Sequence, residues 1–190
     1  SNCNVSAAFT PITYSVTPSA GSNGTISPTA AQTVNSGSTA AFTITPVSGY
    51  RTVTPVGGTC PQGALTGNSY TTGAITSDCT VSASFTPITY SVAPSAGSNG
   101  NISPSTVQTV NSGATAAFTI TPANGYRTVT PVGGTCPQGM LNGNSYTTGT
   151  ITGNCTVSVS FMPITYSVTP SAGSNGTISP VTVQTVNSGA

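Results

Sequence analysis

Apolar and polar residues alternate along short stretches of this chain, and each stretch ends at Gly, Pro or Asn before a long pattern can build. In Tyr14-Ser15-Val16-Thr17 the apolar side chains fall two apart, the spacing that sends them to one face of a strand. Two segments carry the pattern best. In 39–45, Phe42 and Ile44 share one face and Thr43 and Thr45 the other. In 79–85, Cys79, Val81, Ala83 and Phe85 point one way and Thr80, Ser82 and Ser84 the other. Weaker strands are expected at 25–27, 32–34 and 69–72. The segment 50–56 reads as extended, with Pro55 arguing for a sheet edge.

Turn chemistry fills the gaps. Residues 18–24 read as a turn in which Asn23-Gly24 supplies positive φ, so 13–17 and 25–27 should form a hairpin. Asn35-Ser36-Gly37 and 46–49 are further turns, and Cys60 through Asn68 reads as a loop. No segment shows helical spacing with caps. The expectation is an all-β fold with about six or seven strands in each repeating unit.

That unit is defined by recurrence. Pro-Ile-Thr-Tyr-Ser-Val begins at 11, 87 and 163, a spacing of 76 both times. Residues 12–87 and 88–163 differ at only 15 of 76 positions, the mark of a tandem array. Residues 164–190 reproduce the start of a further copy and 1–11 the end of an earlier one. The sequence therefore reads as a window on a longer repetitive polymer: the end of one repeat at 1–11, complete repeats at 12–87 and 88–163, and the beginning of another at 164–190. No Gly/Ser linker separates Phe85-Thr86-Pro87 from Ile88-Thr89-Tyr90, and Pro87 stiffens the step. A semi-rigid rod of small domains is expected.

Cysteine follows the same period. Cys60 and Cys136 are equivalent, as are Cys3, Cys79 and Cys155. Each complete copy thus holds one pair, and the expected bridges are Cys60–Cys79 and Cys136–Cys155, with Cys3 joined to a residue outside the window. Pairing across repeats, such as Cys79 to Cys136, is the competing geometry. Disulfides place the chain in an oxidising compartment, outside the cytosol or on the cell surface. A domain this small buries little apolar surface and gains much from such a staple.

Taken together, Tyr-Ser-Val-Thr at 14–17, Gly-Thr-Ile-Ser-Pro at 24–28, Val-Asn-Ser-Gly at 34–37, Phe-Thr-Ile-Thr-Pro at 42–46, Gly-Tyr at 49–50 and Thr-Val-Ser-Ala-Ser-Phe at 80–85 resemble a divergent internalin-type B repeat. The resemblance implies a compact β domain, sandwich-like or related to the β-grasp. It also implies a stalk or adhesive module of a long bacterial surface or secreted protein. Two features depart from the family pattern: the near absence of charge and the cysteine pair in every copy. The family offers no catalytic residues to carry over.

Charge narrows the chemistry further. Arg51, Arg127 and Asp78 are the only charged side chains, and His, Lys, Glu and Trp are absent. General acid–base catalysis draws on His, Asp, Glu or Lys, and Asp78 is replaced by Asn154 in the next copy, so no enzyme is expected. A cysteine pair without His or recurring carboxylates falls short of a four-ligand zinc site. Calcium needs clustered carboxylates, and haem attachment needs a Cys-x-x-Cys-His run that is not present. No cofactor and no metal are expected. Two Arg in 190 residues make no nucleic-acid stripe, and no run of about 18 apolar residues exists to enter a membrane.

Two functions fit what remains. The first is a structural repeat forming the shaft of an extracellular fibre or giant surface adhesin, its partners being neighbouring repeats and other copies of itself. The alternative is an array that presents one weak carbohydrate or surface site per repeat and gains by avidity. Tyr50, Tyr70, Tyr126 and Tyr146 would be its platforms. Arg51 and Arg127 read as surface side chains lying over the adjacent Tyr.

Overall fold

The computed structural model describes residues 3–189. It breaks into two compact units between Ile88 and Thr89, and all regular structure among the described residues is strand. The first unit holds ten strands: β1 (Thr13–Ala20), β2 (Gly24–Ser27), β3 (Gln32–Asn35), β4 (Ala41–Pro46) and β5 (Tyr50–Thr52), then β6 (Gly57–Gly58), β7 (Ala64–Thr66), β8 (Ser69–Thr71), β9 (Cys79–Ala83) and β10 (Phe85–Pro87). They form one four-stranded sheet in the order β3-β1-β9-β6, a second in the order β2-β4-β8-β7, and a ribbon of β10 with β5.

Alternation decides which side chains enter the core. Val16 and Val81 from the first sheet and Ile26, Phe42, Ile44 and Tyr70 from the second are buried in a single cluster. Their neighbours Thr17, Thr25, Thr43, Thr45 and Thr80 are exposed. The fold is therefore a sandwich; no helix lies across either sheet among the described residues, so the β-grasp alternative does not apply.

Connectivity departs from expectation at the first turn. β1 does not form a hairpin with β2; it lies antiparallel to β3, with Tyr14 opposite Val34, and parallel to β9, from Val16↔Cys79 to Ala20↔Ala83. The Gly21 N–H donates to the Ala83 carbonyl at 2.9 Å, fixing the end of β1 against β9. The chain then crosses to the other sheet, where Ile26 faces Ile44. Placing β1 and β2 in opposite sheets lets Val16 and Ile26 fill one core from both sides. Asn23 takes the positive φ of this crossing, 71°, rather than Gly24. Gly24 has a different reason to lack a side chain, because the Phe85 ring occupies the space where its Cβ would sit.

Ten strands replace the expected six or seven because three are too short or too Gly-rich to show a period. Gly57-Gly58 pairs with β9, β7 forms a tight hairpin with β8 inside the expected loop, and the strand read at 79–85 breaks at Ser84 into β9 and β10. Pro55 lies between β5 and β6 and in neither. Val56, next to it, is buried in the core.

The second unit repeats the plan with β11 (Thr89–Ala96), β12 (Gly100–Ser103), β13 (Gln108–Asn111), β14 (Ala117–Pro122) and β15 (Tyr126–Thr128). There follow β16 (Gly133–Gly134), β17 (Met140–Asn142), β18 (Ser145–Thr147), β19 (Cys155–Val159) and β20 (Phe161–Pro163). Its sheet orders are identical to those of the first unit. It also carries an antiparallel pair, β21 (Thr165–Val168) and β22 (Gln184–Asn187), equivalent to β1 and β3. Val168 is 49% exposed where Val16 and Val92 are fully buried, since β21 has no counterpart of β9 beside it. In the same way residues 3–12 form no strand, and Val5 and Phe9 are exposed.

Candidate functional site

The most strongly built feature of each repeat is the clasp around its disulfide. Cys60 follows β6 and Cys79 opens β9, and their sulfurs are joined with a Cα–Cα distance of 4.8 Å. Cys136 and Cys155 are joined in the same way, again at 4.8 Å. Both bridges lie within one repeat. Cys3 is exposed and free. Because the chain between the two cysteines supplies β7 and β8, the bridge ties an inner strand of one sheet to the segment that enters the other.

Hydroxyls reinforce the clasp. The Thr59 N–H donates to the Thr80 Oγ1 at 3.2 Å and the Thr80 N–H to the Thr59 Oγ1 at 3.0 Å, while Cys60 N–H reaches the Thr80 carbonyl at 3.1 Å. Thr135 and Thr156 reproduce the exchange at 3.1 and 3.0 Å. A buried threonine acts elsewhere: the Thr72 Oγ1 accepts from Ala40 N–H at 2.9 Å, and the Thr72 N–H donates to the Ala40 carbonyl at 2.9 Å. Thr148 and Ala116 do the same. With these partners a hydroxyl enters the core without leaving an unpaired polar atom.

Asp78 and Asn154 occupy one structural role. The Asp78 Oδ1 accepts from Ser15 N–H at 2.8 Å, and the Asn154 Oδ1 accepts from Ser91 N–H at 2.9 Å. The position needs a short side chain ending in an acceptor oxygen, which both residues supply. Charge is incidental to it.

The tyrosines expected as platforms divide into two kinds. Tyr70 and Tyr146 are only 2% exposed and belong to the core; each lies opposite a phenylalanine, Phe42 or Phe118. The Tyr70 hydroxyl accepts from Gly63 N–H at 3.3 Å. Neither ring can stack on a ligand, which corrects that assignment. Tyr50 and Tyr126 are half-buried on β5 and β15, each followed by an exposed arginine, Arg51 or Arg127.

Outside the clasp, the sheet faces present uncharged polar groups. Across the outer face of the second sheet, Ser27 lies opposite Thr43, Thr43 opposite Ser69 and Ser69 opposite Thr66. All four are exposed, giving a hydroxyl on every strand, about 4.8 Å apart across the sheet. In the second unit the rank is Ser103, Thr119, Ser145 and Asn142. One hollow among the described residues, of about 320 Å³, is lined by Pro18, Ser19, Ala20, Gly24, Thr25, Ile26 and Thr29. No cluster of three or more His, Cys, Asp or Glu lies among the described residues.

Residues 14–89, one full period, match the family model for the divergent InlB B-repeat domain. The repeat is a divergent InlB B-repeat domain. The second copy, with its 15 differences in 76 positions, keeps every strand pairing of the first. The family is that of a surface repeat, and the disulfides are compatible with a place outside the cytosol. No curated protein and no solved structure matches the chain.

Sequence reasoning missed the Thr72 and Thr59–Thr80 contacts and also Ile75. Ile75 lies in a loop yet is fully buried, with its N–H bonded to Ser38 O at 2.8 Å and its carbonyl to Gly37 N–H at 2.7 Å. A single apolar residue between polar neighbours gives no periodic signal, and only its recurrence as Ile151 could have marked it.

Proposed function

We propose that these B-repeats are structural: the repeating unit of the shaft of an extracellular fibre or large bacterial surface adhesin, with no catalytic step of their own. One observation carries the reading. The side-chain hydrogen bonds that recur in both copies at Thr59–Thr80, Thr72, Tyr70, Ser19 and Asp78 (Asn154) all hold one backbone segment to another. What the repetition preserves is scaffold. The partners are then neighbouring repeats and other copies of the chain, and faces carrying hydroxyls instead of charge lack the repulsion that keeps highly charged rods apart.

Electron microscopy of the native material tests this. Unbranched fibres with an axial period set by one or a few 76-residue links are expected; separate particles joined at random angles would refute it. The polysaccharide-array reading retains Tyr50 and Tyr126, half-buried beside exposed arginines. Polysaccharide binding that scales with copy number and is lost in Tyr50→Ala/Tyr126→Ala would favour that reading over the shaft.

A further inference from the structure

Ile164 belongs to two ribbons at once. It follows β20 and precedes β21 with no spacer on either side. Its N–H donates to the Gly125 carbonyl at 2.8 Å, adding a rung to the β15–β20 ribbon beyond Tyr126↔Pro163. Its carbonyl accepts from Ser188 N–H at 2.7 Å, adding a rung to the β21–β22 pair beyond Thr165↔Asn187. Only the φ and ψ of this residue separate the closing ribbon of one B-repeat from the opening hairpin of the next.

Gly125 brings the two close. Its φ is 81°, and a Cβ placed on it would lie 3.3 Å from the Ser188 carbonyl oxygen and 3.7 Å from the Ser188 Cβ. Ile164 and Ser188 are half-buried. The equivalent Ile12 and Ser36 are exposed, although the Ser36 N–H makes the same bond to Ile12 O at 2.8 Å. Residues 3–12 offer no ribbon for that hairpin to sit against. The hairpin bond therefore forms in both places, and the burial comes from docking.

We propose that the Gly125 turn and the β15–β20 ribbon are a docking surface whose occupant is the opening hairpin of the following B-repeat, seated through Ile164 and Ser188. The inference rests on the structural reading above and supplies the joint that a shaft needs. An isolated two-stranded hairpin is marginal in water, so β21 and β22 persist because the preceding repeat holds them.

Hydrogen exchange followed by NMR on the 190-residue chain tests this, comparing it with a chain carrying Gly-Gly inserted between Pro163 and Ile164. The Ser188 amide should be protected in the parent and lose at least about tenfold of that protection on insertion. The Thr148 amide, bonded to Ala116 O at 2.9 Å inside the second unit, and the Ser36 amide should not change. Equal protection of Ser188 in both chains, or exchange at the open-chain rate in the parent, would overturn the proposal. If Thr148 also loses protection, Ile164→Pro replaces the insertion; it removes the N–H that donates to the Gly125 carbonyl, together with the isoleucine side chain and the freedom of φ at the joint, without lengthening the chain, and is judged by the same two outcomes. Fibres with a regular period alongside a failed exchange test would leave a shaft with loose joints. A protected Ser188 without fibres would leave the joint and remove the shaft.

Discussion

Removing one disulfide while keeping the other turns the chain into its own control. In Cys60→Ala/Cys79→Ala the first unit loses its bridge and the second keeps Cys136–Cys155. The bridged cysteines are 19 apart in sequence, so the closed loop spans about 20 residues. The chain-entropy relation then gives a loss of about 3 kcal/mol at 25 °C. The smaller side chain at Cys79, which packs in the core, adds to that cost. For a 76-residue repeat the unfolding entropy is about 160 cal/mol/K, so the loss lowers the melting temperature by roughly 20 °C. The parent, with two nearly identical units, should melt over one narrow range in a calorimeter. The variant should split into an early transition, about 20 °C down, and a late one at the parent's position. A separation under about 5 °C would refute the reasoning, because the Thr59–Thr80 exchange and the core would then be holding the sheets together without the bridge.

Three further outcomes are expected. Tyr70→Ala empties a core position shared with Phe42 and Leu65 and should cost about 3–5 kcal/mol in chemical denaturation, whereas Tyr50→Ala should cost about 1 kcal/mol or less; equal costs would contradict their different burial. Gly24→Ala drives a methyl into the Phe85 ring and should cost about 1–3 kcal/mol, and combining it with Phe85→Leu should cost measurably less than the sum of the two single changes. The complete second repeat, 88–163, contains no Asp, Glu, His or Lys, so its melting temperature should stay within a few degrees between about pH 3 and 9; a swing of tens of degrees would show that a linked group has been overlooked.

Much of the architecture is written in short-range pattern. The alternation at Phe42-Thr43-Ile44-Thr45 and at Cys79-Thr80-Val81-Ser82 places each side chain on the face where it is found, because a strand has a period of two whatever it pairs with. The repeat period alone suggests which cysteines share a unit. Pairing is another matter. β1 and β9 are joined across more than sixty residues, and nothing local to Tyr14-Ser15-Val16 distinguishes a hairpin with 25–27 from a parallel partner at the far end of the repeat. Proximity in sequence favoured the hairpin; filling one core from two sheets decided against it. The error over Tyr70 has a similar root. Ser69-Tyr70-Thr71 alternates as a buried strand should, but β8 is three residues long, too short for the pattern to stand out beside an aromatic ring that could equally serve a surface.

The parallel pairing of β1 with β9 sets how a repeat responds to tension. The chain enters at the start of β1 and leaves beyond the end of β9, and the two strands run side by side in the same direction from Val16↔Cys79 to Ala20↔Ala83. A pull on the two ends slides one strand along the other, so the rungs between them are loaded together and must fail together. In an antiparallel terminal pair pulled from its open end, the rungs would break in succession. If the sheet does give way, the bridge from Cys60 to Cys79 keeps the residues between them from paying out. Each repeat is thus built to resist stretching first and to limit its extension second, a mechanical property that stretching single chains, with and without reductant, would measure as a force threshold and a step length.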